Sequence, residues 1–205
     1  MTWSSPCVGR WTGLKADVSA ETYVHPTALV ESHEVGDGTR VWAFAHIMDG
    51  AVVGEDCKIG DNAFIESGAV LGNRVVVKNN SLIWHGVSIG DDVFVGPNTV
   101  FTNVVAPRAR YQTYPEEWVK TQVADRASIG ANSTIVCGIR LGVNSMVGAG
   151  SVVTRDVPDH ALVFGNPARH EGWVCDCGAK LGDDLVCPAC GRLFVEAASG
   201  LEEKS

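Results

Sequence analysis

Residues 82–103 have the sequence LIWHGVSIGDDVFVGPNTVFTN, in which an apolar residue returns at every sixth position: Ile83, Ile89, Val95 and Phe101. An α-helix repeats its buried side chains every 3.6 residues and a flat strand every second residue, so neither structure explains a period of six. A hexapeptide repeat is typical of a β-helix, in which the apolar residue of each short strand points inward. Three such hexads make one triangular turn, so residues 18 apart in the chain are expected to stack directly on one another.

The six-residue register extends far beyond this stretch. It begins at Tyr23, continues without a slip to Phe101, and resumes from Val123 to Val153. Eighteen of the twenty positions in this register are Val, Ile or Leu. We therefore predict an all-β fold, a parallel β-helix of six to seven triangular turns over residues 18–170, after an irregular N-terminus over residues 1–17. A spacing of about 4.8 Å between stacked strands makes the predicted stack about 30 Å long.

Residues 104–122, VVAPRARYQTYPEEWVKTQ, interrupt the register. The segment is too long and too charged for another turn, and Pro107 and Pro115 disfavour strand pairing within it. A loop of this length in a compact domain is usually functional or disordered. We predict an external loop that covers a substrate or clasps a neighbouring subunit, and the alternative is a solvated insertion.

The composition excludes several classes of function. The 205 residues have a formal net charge of −8, so no broad basic surface is expected to bind nucleic acid or anionic lipid. No apolar stretch is long enough to cross a bilayer, which predicts no membrane insertion. The N-terminal segment lacks the apolar region of a signal peptide. We therefore expect a cytoplasmic protein whose seven cysteines are reduced or bound to metal.

A different pattern begins after residue 170. One residue separates Cys175 from Cys177, two residues separate Cys187 from Cys190, and a glycine follows each pair. Four thiolates suit tetrahedral Zn²⁺, and so short a tail has too little apolar sequence to fold without a metal. We predict a small zinc-ribbon-like tail over residues 171–205 that holds a structural zinc ion. Two disulfides or a redox pair are the alternatives.

Several segments of the predicted β-helix resemble a known enzyme family. IGDDVFVGPNTVFTN, IGANSTIVCGIRLG, VGAGSVVTRDVP and VFGNPAR are similar to segments of the hexapeptide-repeat acyltransferases. This resemblance covers about residues 20–170. It implies a left-handed parallel β-helix, a homotrimer, and acetyl-CoA bound between neighbouring subunits.

Two further motifs narrow the resemblance. DGTRVWAFAHI (residues 37–47) and VFVGPNTVFTNVVAPRA (residues 93–109), with the interruption that follows, resemble the 3-N-acetyltransferases of nucleotide-linked 3-amino sugars. The nearest subgroup acts on UDP-2-acetamido-3-amino-2,3-dideoxy-glucuronate, and related enzymes act on dTDP-3-amino-6-deoxy sugars. The resemblance thus implies an acetyl-CoA-dependent N-acetyltransferase for surface polysaccharide or glycoside synthesis, with a nucleotide-linked amino sugar as the acceptor.

Other functions fit the same predicted fold. An O-acetyltransferase, an enzyme with another acyl donor, and a non-catalytic scaffold with a zinc module all stay open. A metallohydratase of the carbonic anhydrase type needs three histidines that converge on one metal. The sequence disfavours this activity, because the following histidines are not separated by multiples of 18: His25, His33, His46 and His85.

The stacking rule indicates one candidate catalytic residue. Asp49, Ser67, His85 and Asn103 follow one another at intervals of 18 and are expected to form one column, with the external loop beginning after Asn103. The imidazole group suits a base that accepts the proton of a sugar amine. We predict that His85 is this base and that Asn103 contacts the substrate. Relatives often have an acidic residue at this position, so the alternatives for His85 are a turn residue or a pocket-shaping residue.

Three more candidates lie near this column in the sequence. Asn80 matches an asparagine that the resemblance places before the reactive edge, and it is the second candidate catalytic residue. A ladder with Asn62 and Asn98 offers a structural alternative, because asparagine tolerates turn conformations. Trp84 is expected to stack above Glu66, and both are candidates for substrate binding. A contact between subunits is the alternative for Trp84.

The resemblance also implies residues for the acceptor and for coenzyme A. Arg108 matches a basic residue of the family motif and is a candidate for binding a diphosphate or a sugar carboxylate. Ala149 and Gly150 are candidates for close backbone contact with the pantetheine arm. Arg155 and Arg169 are candidates for the ribose phosphate. A solvated surface charge is the alternative for each arginine.

Overall fold

The computed structural model describes residues 21–111 and 113–204, so the predicted irregular N-terminus and Cys7 lie outside the described residues. Within these ranges the chain forms no α-helix, and one short 3-10 helix spans Pro115–Glu117. None of the helices in these ranges is long and apolar enough to cross a membrane. The strands are, in chain order, β1 (Tyr23–Val24), β2 (Leu29–Val30), β3 (Arg40–Val41), β4 (His46–Ile47), β5 (Val52–Val53), β6 (Lys58–Ile59), β7 (Phe64–Ile65), β8 (Val70–Leu71), β9 (Val76–Val77), β10 (Leu82–Ile83), β11 (Val87–Ile89), β12 (Phe94–Val95), β13 (Val100–Phe101), β14 (Thr121–Val123), β15 (Ser128–Ile129), β16 (Thr134–Ile135), β17 (Arg140–Leu141), β18 (Met146–Val147), β19 (Val152–Val153), β20 (Ala161–Gly165), β21 (Ala168–Trp173), β22 (Phe194–Ala197) and β23 (Gly200–Glu203).

The strands stack into three parallel sheets, which form the faces of a prism. Face A has the order β1-β3-β6-β9-β12-β15-β18-β20, face B the order β2-β4-β7-β10-β13-β16-β19, and face C the order β5-β8-β11-β14-β17. Single bridges from Val35 to Val53 and from Leu141 to Val157 extend face C by one step at each end. The predicted parallel β-helix is thus confirmed, with seven full turns and the first strand of an eighth.

The stack continues beyond the last residue of the hexapeptide register. Val147 pairs with Val163, which lies 16 and not 18 residues further along the chain. The last turn is therefore two residues shorter than the others, and its inward positions no longer follow the period of six. This change explains why a count of hexads predicts a slightly shorter stack than the structure contains.

The inward positions of the register form the core. Residues such as Ile47, Ile65, Ile83 and Leu141 are at most 1% exposed, and small side chains fill the corners. Leu29, at the start of the register, is 52% exposed because the described chain offers no turn beneath it. Each turn buries its aliphatic side chains only against its neighbours, so the stability of the stack depends on consecutive turns.

The three corners of the prism differ in side-chain chemistry. Corner A–B, between faces A and B, has asparagines with positive φ: Asn62, Asn80, Asn98 and Asn132. Corner B–C has glycines with positive φ: Gly50, Gly68, Gly86 and Gly138. Corner C–A has charged residues with positive φ: Asp56, Arg74, Asp92 and Arg126. Two hydrogen bonds of 2.7 and 2.8 Å join Arg74 to Asp92 on successive turns of this last corner.

The external loop leaves and rejoins the β-helix at corner B–C. The N–H group of Val119 donates a hydrogen bond of 2.9 Å to the carbonyl oxygen of Asn103, which closes the base of the loop. Strand β14 begins at Thr121, whose side chain is 1% exposed. The loop therefore spans residues 104–120, and the strand starts two residues before the end of the predicted interruption.

The tail packs on the C-terminal end of the stack. Strand β21 pairs antiparallel with β20, and a second small core contains buried side chains of the tail: Cys175, Leu181, Cys187, Phe194 and Leu201. The imidazole of His160 donates through Nδ1 to the carbonyl oxygen of Val174 at 2.9 Å and contacts Asn144 through Nε2 at 3.1 Å. Because β21 crosses residue 170, the boundary between the two predicted domains stays a prediction.

Candidate active site and candidate metal centre

His85 stacks on Ser67, as the interval of 18 residues predicts. Its Nδ1 lies 2.8 Å from the carbonyl oxygen of Ser67. Because a carbonyl oxygen only accepts hydrogen bonds, Nδ1 must carry the hydrogen, and Nε2 of a neutral ring is left as the acceptor. No residue in the described part of the chain forms a hydrogen bond with Nε2. The half-buried His85 side chain is therefore oriented as a base must be, with its proton-accepting nitrogen available.

Glu66 supports the backbone of His85. One carboxylate oxygen of Glu66 accepts a hydrogen bond of 2.7 Å from the N–H group of His85. The Glu66 side chain thus ties two successive turns together at the residue that holds the imidazole. Sequence spacing predicts that Glu66 lies beneath Trp84, but it cannot predict this backbone contact. The role of Glu66 in substrate binding stays a prediction.

Gly68 is a site residue that the sequence analysis did not identify. A Cβ atom at this position would lie 2.4 Å from Nδ1 of His85, so the imidazole occupies the space that any other side chain would need. Gly68 also has a φ of +79°, which a side chain disfavours. The signal in the sequence is the series Gly50, Gly68 and Gly86, whose members are 18 residues apart.

Trp118 comes from the returning segment of the external loop and contacts His85. The two rings meet edge to face, with centroids 5.4 Å apart and an interplanar angle of 78°. The indole Nε1 is buried and has no hydrogen-bond partner within the described ranges. The loop is therefore part of the wall around His85, and the sequence analysis missed this contact because the loop breaks the register.

We expect Trp118→Ala to lower kcat by about tenfold to hundredfold, because a base that moves within its site loses its alignment with the substrate. Trp118→Phe should keep kcat within about threefold of the wild type, since it preserves an aromatic edge. Steady-state kinetics of both variants test this expectation. Trp42→Ala, at an exposed position on face A, is the matched control. Wild-type kcat in Trp118→Ala would show that the ring contact has no role.

Trp84 and Asn103 lie near His85 at the end of face B. Trp84 is half-buried, and its ring centroid lies 5.4 Å from that of Phe64, which in turn lies 5.4 Å from that of His46. These rings form an aromatic strip across three turns. Asn103 is half-buried at the base of the loop. The structure brings both residues to the region of His85, and their contacts with a substrate stay predictions.

Asn80 and Arg108 do not join His85 within one chain. Asn80 has a φ of +60° and lies exposed at corner A–B, whereas His85 lies at corner B–C. Arg108 is exposed in the external loop, where its carbonyl oxygen accepts a hydrogen bond from the N–H group of Tyr111 at 3.0 Å. The catalytic role of Asn80 and the acceptor contact of Arg108 stay predictions.

The candidate coenzyme A residues are distributed over three places. Ala149 and Gly150 are exposed at corner A–B, where a side chain on Gly150 would meet no atom within 4 Å. Arg155 is exposed next to face B, near corner B–C. Arg169 lies on β21, and its Nη1 donates a hydrogen bond of 3.1 Å to the carbonyl oxygen of Ala168. A single chain therefore does not assemble them into one site, and their roles stay predictions.

The four tail cysteines meet at one point. Their sulfur atoms all lie within 4.8 Å of one another, with 3.5 Å between those of Cys175 and Cys190 and 3.6 Å between those of Cys177 and Cys187. These distances are too long for disulfides and fit the edges of a sulfur tetrahedron around zinc. Burial raises the pKa of the Cys175 thiol. Although burial opposes it, the N–H groups of Cys190 and Ala189 lower the pKa of the Cys187 thiol to about 6, which favours a thiolate ligand.

The other described cysteines lack the surroundings of a nucleophile. Burial raises the pKa of the Cys57 thiol, which donates to the carbonyl oxygen of Gly72 at 3.2 Å. Cys137 is 7% exposed, and its N–H group donates to the hydroxyl group of Thr102 at 3.0 Å. Both residues therefore fill structural positions in the stack.

Comparisons with known proteins agree with this geometry. The family "Bacterial transferase hexapeptide (six repeats)" matches residues 32–67 and 68–103, and "Hexapeptide repeat of succinyl-transferase" matches residues 50–85 and 122–155. A curated relative from Aneurinibacillus thermoaerophilus is named dTDP-3-amino-3,6-dideoxy-alpha-D-galactopyranose 3-N-acetyltransferase. It is 55% identical over 180 residues, which cover 86% of this chain and 92% of the relative.

Solved structures support the fold. A hexapeptide-repeat acetyltransferase from Vibrio cholerae, determined with acetyl coenzyme A, has a TM-score of 0.53 and 27% identity, and the match covers 60% of this chain and 70% of that one. A Bacillus cereus protein has a TM-score of 0.53 and 21% identity, with coverage of 76% and 80%, which supports the fold alone. The predicted left-handed β-helix is confirmed. The chain is therefore an enzyme of the hexapeptide-repeat acyltransferase family and belongs with its nucleotide-sugar 3-N-acetyltransferases.

Proposed function

We propose that this enzyme transfers an acetyl group from acetyl-CoA to the 3-amino group of a nucleotide-linked sugar, with His85 as the base. The observation that supports this proposal most directly is the hydrogen bond from Nδ1 of His85 to the carbonyl oxygen of Ser67, which leaves Nε2 available as an acceptor. The name of the 55% identical relative supports the class of acceptor. That relative acts, by its name, on a dTDP-linked sugar, so dTDP-3-amino sugars come before UDP-linked ones as candidates.

The reaction needs a neutral amine and a base. The amine nitrogen attacks the thioester carbonyl, the C–S bond breaks, and the leaving group is the thiolate of coenzyme A. In the proposed mechanism, Nε2 of His85 accepts the proton that the nitrogen loses, and the imidazolium then protonates the thiolate. The hydrogen bond to Ser67 and the contact with Trp118 hold the ring during this transfer.

We further propose a homotrimer, in which face B of each subunit lies toward the threefold axis. The outward positions of this face are apolar and partly exposed: Leu29, Phe64, Leu82, Val100 and Val152. Apolar surface of this kind marks an interface. Closed symmetry then places corner A–B of one subunit against corner B–C of the next. In that arrangement Asn80 and Gly150 of one copy approach His85 of another, which would complete the site that one chain leaves divided. Light scattering measures the mass of the assembly.

We also propose that the cysteine cluster holds one structural zinc ion. The distances between sulfur atoms and the four-thiolate donor set support zinc over a disulfide or a redox pair. Four protein ligands leave no open position, so the metal would support the fold and not the acetyl transfer. The cytoplasmic location stays a prediction.

The decisive experiment is thiol release from acetyl-CoA with a panel of dTDP- and UDP-linked 3-amino sugars. We expect turnover with a dTDP-3-amino-dideoxy hexose and slower turnover with the UDP-linked glucuronate. Turnover only with acceptors that present a hydroxyl group would replace the N-acetyltransferase by an O-acetyltransferase. Failure of every acceptor, together with failure of coenzyme A to raise Tm, would contradict the proposed enzyme and favour a scaffold.

A further inference from the structure

Corner B–C contains one charged residue in a column of glycines. Gly68, Gly86 and Gly138 have no side chains, so this corner is bare along several turns. Between the turns of Gly86 and Gly138, the returning loop places Lys120 in the same column, as the pairing of Val87 with Thr121 shows. A Cβ atom on Gly86 would lie 3.6 Å from Cγ of Lys120. Since Gly86 follows His85, the lysine lies beside the candidate base.

A groove of about 600 Å³ opens on face C along this corner. Gly68, Gly86 and Gly138 line it, together with Lys120, Arg140 and Asp156. Arg140 is neutralised by Asp159 at 3.1 Å, and Asp156 accepts a hydrogen bond from the N–H group of Arg140 at 2.8 Å. Lys120 is exposed and forms no ion pair with any residue in the described ranges.

Thr121 provides an independent indication of a ligand. Its side chain lines the same groove and is 1% exposed, and its hydroxyl group has no hydrogen-bond partner within the described part of the chain. A buried polar group without a partner destabilises a protein, so it needs an explanation. Trp118, three residues earlier, also has a buried N–H group without a partner there. One four-residue segment thus holds three unpaired donors: Trp118, Lys120 and Thr121.

We propose that this groove is a diphosphate-binding subsite in which Lys120 and the hydroxyl group of Thr121 bind phosphate oxygens. A diphosphate offers several charged acceptors and no donors, which matches a segment that offers only donors. The bare glycine corner lets the diphosphate approach the backbone closely. Both substrates of the proposed function contain a diphosphate, in coenzyme A and in the nucleotide sugar. The inference rests on that function only for which substrate binds.

The test compares the binding of inorganic pyrophosphate, coenzyme A, dTDP and UDP to the wild type, Lys120→Met and Thr121→Val by calorimetry. We expect both variants to weaken pyrophosphate by about tenfold, because each loses a hydrogen bond to a charged group. Lys120→Arg should retain most of the affinity. Weakened coenzyme A alone would assign the subsite to the donor, and weakened nucleotide alone to the acceptor. Lys58→Met, at an exposed lysine on face A, is the matched control.

Thr121→Val also separates a ligand role from a structural one. Because the hydroxyl group has no partner in the free protein, its replacement by a methyl group should leave Tm unchanged or higher while binding weakens. A lower Tm with unchanged affinity would indicate a structural hydroxyl group. If Lys120→Met binds all four probes within twofold of the wild type, the subsite does not exist. These readouts do not use turnover, so they stand even if no sugar acceptor is found.

Discussion

His85→Ala is expected to lower kcat by about a hundredfold to ten-thousandfold, which is the usual contribution of a positioned acid–base group. The loss follows from the geometry, because Nε2 is the ring nitrogen that the bond to Ser67 leaves available. Steady-state kinetics between about pH 6 and pH 9 test the prediction. Since the imidazole contacts the loop and not the core, Tm should change little.

His85→Gln is the matched variant for this experiment. Glutamine retains a donor for the carbonyl oxygen of Ser67 but cannot accept the proton of the amine, so its kcat should be as low as that of the alanine variant. Gly68→Ala should also lower kcat, because the new Cβ atom would occupy the position of the imidazole. Full kcat in His85→Ala at every pH would contradict the role of the base and indicate that the departing thiolate takes the proton directly.

Removal of the metal is expected to unfold the tail. Structural zinc contributes an apparent binding free energy of about 10 kcal/mol or more in small domains of this kind. The apolar core of the tail consists of a few side chains around the cysteines, so nothing else in it compensates for this loss. After chelation, hydrogen exchange should show loss of protection in β22 and β23, while the amides of β10 and β13 stay protected.

Two cysteine variants make the metal experiment specific. Cys187→Ser should lose zinc and should reproduce the effect of chelation. Cys57→Ser should retain zinc, because Cys57 lies inside the stack and donates to a carbonyl oxygen that a hydroxyl group can also contact. About one zinc ion per chain is expected by elemental analysis of the wild type. A metal-free protein with full protection of β22 and β23 would contradict the prediction.

Metal removal should also affect the end of the β-helix. Asp159 donates its N–H to Ser199 at 2.8 Å and accepts from the N–H of Leu201 at 3.2 Å, so the tail pairs with the last turn. His160 is 6% exposed and forms hydrogen bonds with both the stack and the tail. An unfolded tail would leave these backbone groups and the strand edge exposed, which favours association between chains.

The contacts around His85 show how far a periodic sequence can be interpreted. The interval of 18 residues correctly places His85 on Ser67, because every hexad between them has the same length. The same interval places Glu66 in the neighbourhood, but its contact with the N–H group of His85 depends on a side-chain rotamer. The position of Gly68 was visible as a series of glycines, although its steric reason appears only with the imidazole in place.

The sequence by itself determined the three-sided parallel stack, its inward side chains and the four-cysteine tail, because each of these features depends on short, repeated spacings. Only the tertiary structure decided that Trp118 contacts His85, that Lys120 enters the glycine corner, and that the last turn has 16 residues. The reason is physical: a repeated turn gives each residue the same neighbours, whereas a loop that breaks the period returns wherever packing and backbone hydrogen bonds allow. The chemistry proposed here lies where those two parts of the chain meet.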